Sequence, residues 1–157
     1  MFRKIILLII SFNFLSQCGF SPTYSIQNGA IKNVSINEIF LTGDKTINNF
    51  IEINLKRNRG SVDNKVFNLK IDTQFYKETV TKDKTAKITD YKLSSVSNVE
   101  IILNGKLVKR VAISEGKDMN NMNDKFEEQK YERNIKQNFA SSITNKIIRE
   151  LSLINDN

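Results

Sequence analysis

Residues 65 to 77 alternate without a break, and this constrains the chain more than any other feature. Phe67, Leu69, Ile71, Thr73 and Phe75 recur on one side, while Asn68, Lys70, Asp72, Gln74 and Tyr76 recur on the other. Successive side chains of a strand point to opposite faces, so the segment reads as a strand with one buried and one wet face. Ile88 to Leu103 reads as a second long strand, with Tyr91, Leu93, Val99, Ile101 and Leu103 sharing a face. Asn104-Gly105 follows, a strong short hairpin signal, and Leu107, Val111 and Ile113 continue a fourth strand beyond it. Residues 79 to 87 read as a basic turn, and residues 31 to 41 as the first strand. In that first strand Val34, Ile36 and Phe40 fall on one face and Glu38 interrupts the pattern.

Two segments carry the helical period instead. In residues 45 to 58, Ile47, Phe50, Ile51 and Leu55 form one stripe. Gly60 sits where a helix favours a left-handed residue, and Lys56, Arg57 and Arg59 oppose the negative end of the helix dipole. After a polar loop at 114 to 123, Asp124 and Glu127 have the spacing of a capping box. A long helix then runs to about Leu153, with Tyr131, Ile135, Phe139, Ile143, Ile147 and Leu151 every four residues. The order is strand, helix, three strands in a meander, helix. Each sheet has one apolar face and each helix one apolar stripe. The expected fold is an α+β two-layer sandwich: two helices packed on one face of a four-stranded, mostly antiparallel sheet.

The residue inventory narrows the chemistry. Among 157 residues there are no histidines and one cysteine, so an intramolecular disulfide, a His/Cys zinc site and a Ser-His or Cys-His nucleophile pair are out of reach. No cofactor or metal is expected. Glu127, Glu128 and Glu132 could be read as a hydrolytic carboxylate set, but acids in the first turns of a helix are explained by its dipole, and the chain reads as a non-enzyme. A net charge of +7 would suit nucleic acid. An export signal and the lack of an RNA-binding aromatic signature on the strands argue against it.

That signal occupies the N-terminus. Arg3 and Lys4 precede an apolar run from Ile5 to Leu15, too short to span a bilayer as a helix and laid out as a secretory signal. The sole cysteine stands directly after it, in Leu15-Ser16-Gln17-Cys18. This resembles the lipobox of bacterial lipoproteins, with Gln17 where Gly, Ala or Ser is usual. The expected organisation is a signal peptide over 1–17, a lipidated tether over 18–30 holding the only proline, and one α+β domain over 31–154. Gly19, in place of Asp, leaves onward export to the outer membrane as the default.

Cys18-Gly19-Phe20-Ser21-Pro22-Thr23-Tyr24 is similar to the start of the mature LPS-assembly lipoproteins (LptE) in their alphaproteobacterial form. Tyr91-Lys92-Leu93, Gly105-Lys106-Leu107, and the helix from Glu132-Arg133 to Ile147-Ile148-Arg149-Glu150-Leu151 match that family in order and spacing. The family often has an aromatic-Asn pair before the last helix, where this chain has Asp118-Met119-Asn120-Asn121. The resemblance implies a lipid-anchored, periplasm-facing outer-membrane protein. It would plug and help assemble the LptD β-barrel, contact lipopolysaccharide on its way to the outer leaflet, and do no covalent chemistry. The alternative is an accessory periplasmic lipoprotein of another envelope lipid-transport system. Phosphates of lipopolysaccharide would be met by basic groups, for which Lys82, Lys84 and Lys87 at the strand tip and Lys56, Arg57 and Arg59 after the first helix are the candidates.

Overall fold

The computed structural model describes residues 35–57 and 65–155. Its elements are β1 (Ser35–Gly43), α1 (Lys45–Arg57), β2 (Val66–Lys82), β3 (Ile88–Leu103), β4 (Lys106–Asn120) and α2 (Lys125–Asn155). The signal segment, the tether with Cys18, Val34, Arg59 and Gly60 lie outside the described residues.

The four strands stand in the order β1-β2-β3-β4. The first pair is parallel, as a crossover through a helix requires, and the other two pairs are antiparallel hairpins. The α+β sandwich read from the sequence is the observed one. Both helices cover the same face. Ile47, Ile51 and Leu55 of α1 and Ile135, Phe139, Ile143, Ile147 and Leu151 of α2 are buried there against Phe67, Leu69, Ile71, Leu93, Val99, Ile101, Ile113 and Met119. Tyr131, the first member of the expected α2 stripe, is 38% exposed and stands outside that core. Burying one such aliphatic side chain is worth about 1.5–3 kcal/mol, so the two stripes supply much of the driving force.

Each helix start is fixed by an aspartate. Asp44 Oδ1 accepts the Ile47 amide at 2.9 Å, and Asp124 Oδ1 accepts the Phe126 amide at 2.8 Å. The second half of the expected capping box is replaced, since Glu127 pairs with Lys130 at 3.5 Å. The last turn of α2 carries no basic residue. Lys146 reaches Glu115 of β4 at 2.6 Å. At the Asn104-Gly105 turn both residues take positive φ, 51° and 76°, which is the backbone of a type I′ hairpin.

Four features differ from the sequence reading. In β1 the pairing with β2 shifts between Ile36 and Ile39, so one extra residue is accommodated. That bulge turns Ile36, Ile39 and Leu41 to the core and puts Phe40 on the other face, 52% exposed. The interruption at Glu38 is its sequence trace. A similar shift where β4 begins places Leu107 opposite Ile102, off the core face and exposed. The segment expected as a loop at 114–123 is instead strand up to Asn120, with Met119 buried. Likewise β2 continues to Lys82, leaving only residues 83–87 for the turn.

Candidate functional site

The far end of β2 and the start of β3 form a hairpin whose residues are exposed from Tyr76 through Lys87. Its turn is built on Asp83. The carboxylate accepts the Thr85 and Lys87 amides at 2.8 and 3.0 Å and the Thr85 hydroxyl at 2.7 Å, while the Ala86 amide donates to the Asp83 carbonyl at 3.0 Å. Ala86 adopts φ 62° to close it. The Thr85 hydroxyl and then the two amides hold the Asp83 carboxyl below its ordinary pKa. Asp90 is likewise lowered, by the hydroxyls of Thr81 and Thr89.

Asp83 and Asp90 are thus hydrogen-bonded by neutral donors. Lys82, Lys84 and Lys87 are exposed, and none forms a salt bridge among the described residues. The tip also exposes Val80, at 58%. A positive surface beside an apolar side chain suits an amphiphile with an anionic head.

The other expected cations are elsewhere. Lys56 and Arg57 end α1, just before the chain enters β2 at Val66. Seventeen residues of β2 separate that end from the tip, about 50 Å at the usual strand rise. Lys56 is paired with Glu52 at 2.6 Å, while Arg57 is exposed and has no salt bridge among the described residues. The structure thus gathers the three tip lysines and keeps Lys56 and Arg57 apart from them.

A set of charges missed by the sequence reading lies under the base of the hairpin. Lys77, on the helix-covered face of β2, reaches Glu128 at 2.7 Å and Glu132 at 3.1 Å, and its ammonium stands 4.5 Å from the Tyr91 ring centroid. Lys125 closes on Glu128 at 2.5 Å. Lys136 lies 3.9 Å from the Phe75 ring centroid and joins Asp44 at 2.9 Å and Glu132 at 3.7 Å. Burial pulls the Lys77 pKa down, but the bonds and charges of Glu128 and Glu132 outweigh it and raise it. Lys125, then Lys77, hold the Glu128 carboxyl below its ordinary range. This network pins the first turns of α2, the cap of α1 and the hairpin base together. Only the four-residue spacing of Glu128, Glu132 and Lys136 hinted at it; their partners on β2 and α1 lie far away in sequence.

The face away from the helices is open. Asn68, Lys70, Gln74, Tyr76, Lys92, Asn98 and Arg110 stand on it with small residues of β4. A depression of about 290 Å³ lies there beside Phe40. Among the described residues no helix is long and apolar enough to cross a membrane, and no cluster of metal-ligating side chains occurs.

No protein-family model and no curated protein sequence matches the chain. Its architecture, two helices on one face of a four-stranded sheet, is nevertheless shared with bacterial lipoproteins. The chain superposes on rare lipoprotein B from Shewanella oneidensis with a TM-score of 0.57 at 17% identity, covering 76% of this chain and 99% of that one. A lipoprotein B from Nitrosomonas europaea gives 0.58 at 8% identity, over 82% and 90% of the two chains. A minor lipoprotein from Acinetobacter baumannii gives 0.51 at 15% identity, over 72% and 93%.

Proposed function

We propose that this chain is an outer-membrane lipoprotein of the LptE type, held to the periplasmic leaflet by acyl chains on Cys18 and seated in an LptD-type β-barrel. There it would fill the lumen, help the barrel assemble, and meet lipopolysaccharide in transit. The fold shared with rare lipoprotein B supports this reading, as does the lipobox-like Leu15-Ser16-Gln17-Cys18. Two acyl chains or more make attachment effectively stable, at about 0.8 kcal/mol per buried CH2. Barrel interiors are polar, and the open face meets such a wall mainly with Asn68, Lys70, Gln74, Lys92, Asn98 and Arg110, with Phe40 as an apolar contact among them.

The observation that carries the lipopolysaccharide contact is the tip. Lys82, Lys84 and Lys87 are exposed around one turn and outnumber Asp83 and Asp90, whose carboxylates are held by hydroxyls and amides with no lysine ammonium bonded to them, so the hairpin offers an excess of cationic groups to phosphates. The test is a pull-down of the tagged chain from detergent-solubilised envelope. A large β-barrel should co-purify. Recovery of an inner-membrane transporter in its place would overturn the plug and favour an accessory subunit of another lipid-transport system.

A further inference from the structure

The two edges of the sheet are built differently. β1 spans nine residues and is bulged, features that discourage pairing with a further strand. β4 spans 15 residues and keeps regular register with β3 from Lys109 to Asn120. It pairs with β3 on one side, stands at the edge of the sheet on the other, and is covered by α2. On its open-face side it carries Arg110, Ala112, Ser114, Gly116 and Asp118, small in the middle and charged at the ends. On its other side Lys109 and Glu115 are turned to α2, where they bond Glu150 at 2.6 Å and Ser142 and Lys146 at 2.7 and 2.6 Å. The stretch from Val111 to Ser114 has no proline, bulge or charge to protect it.

We propose that this edge pairs with the same strand of a second copy, antiparallel and centred on Ser114. Facing residues of an antiparallel pair share a face, so the two-fold sets Arg110 opposite Asp118 at both ends, Ala112 opposite Gly116, and Ser114 opposite itself. Lys117 then faces Val111, with no like charge across from it. Arg110 already gives its Nε to Glu100 at 2.9 Å, but its guanidinium has further donors. Asp118 has no salt bridge among the described residues. The neighbouring registers are worse: a centre at Ile113 sets Lys109 against Lys117, and one at Glu115 sets that carboxylate against its own copy. The pairing applies to the chain outside a barrel lumen, and its failure would leave the lipoprotein reading untouched.

Cross-linking tests it. Facing Cα atoms of such a pair lie about 4.5–5.5 Å apart, within disulfide range. In the full chain with Cys18→Ser, kept in mild detergent, Ser114→Cys should oxidise to a covalent dimer at least roughly tenfold faster than Asn98→Cys, which is exposed on the open face of β3. Adding Arg110→Asp should abolish the effect, and adding Asp118→Arg as well should restore it. Within one copy the double swap sets an acid across from Glu100 and a cation across from Lys92, so only contact between copies can produce the rescue. Equal rates at positions 114 and 98, or no response to Arg110→Asp, would overturn the proposal.

Discussion

Lys136 of α2 holds Asp44 Oδ2 at 2.9 Å while Asp44 Oδ1 accepts the Ile47 amide. One carboxylate thus caps α1 and ties it to α2. Asp44→Ala removes both roles and is expected to cost about 2 kcal/mol in denaturant unfolding. Asp44→Asn keeps an oxygen for the amide but not the charge, and should cost about half as much. Equal losses for the two variants would show that the ion pair contributes everything and the cap nothing.

Gly43 ends β1 at φ 93°, and a Cβ there would stand 1.9 Å from the Thr73 carbonyl oxygen, the same oxygen that accepts the Asp44 amide at 2.7 Å. Backbone on both sides of the clash cannot swing aside. Gly43→Ala is expected to destabilise the domain by about 3 kcal/mol, measured by thermal or urea unfolding.

Glu128 sets an acid limit. Its folded pKa lies below the ordinary carboxyl value, so its contribution is fully present above the unfolded value near 4.5 and disappears as pH falls through the folded one. The melting temperature of the wild type should therefore fall below about pH 4.5. Glu128→Gln should melt lower than the wild type at pH 7, and the gap should close toward pH 3. A gap constant across that range would remove Glu128 as the source.

Ser95 is fully buried, and its hydroxyl has no partner among the described residues, whereas its neighbours Thr73 and Ser97 bond each other at 2.9 Å. Ser95→Ala deletes a desolvated polar atom and is expected to leave the domain unchanged or stabilise it by up to about 1 kcal/mol. Thr73→Ala, which orphans the Ser97 hydroxyl, should destabilise by about the same amount. Chemical denaturation of the pair separates the two situations.

At the tip, replacing Lys82, Lys84 and Lys87 together by Glu is expected to weaken binding of lipopolysaccharide micelles severalfold and to flatten its dependence on salt. Because all three side chains are exposed, the melting temperature should hardly move. Unchanged binding would remove the hairpin from the ligand surface.

How much of this was legible depends on where the information lies. The limits of β3 and the turn after it are written locally, in alternation and in Asn104-Gly105, and the structure reproduces them. The β-bulge near Glu38 is not, because one inserted residue reverses the facing of Phe40 while leaving composition unchanged. Residues 114 to 120 look like a loop because Glu115 and Lys117 interrupt the apolar face. They are strand because Ser142 and Lys146 supply partners for Glu115 from a helix some 30 positions later. For the same reason the tip lysines could be named from the sequence, and the Lys77–Glu128–Glu132 cluster could not.

The order of the elements has one more consequence. The helix that roofs β3 and β4 is the last described, and it supplies Ile135, Phe139, Ile143, Ile147 and Leu151. A chain made N-terminus first therefore carries a sheet with half its greasy side bare until the 31-residue α2 follows. Until then that half is a sticky surface, and the sheet is closed only once the helix that roofs it has been made.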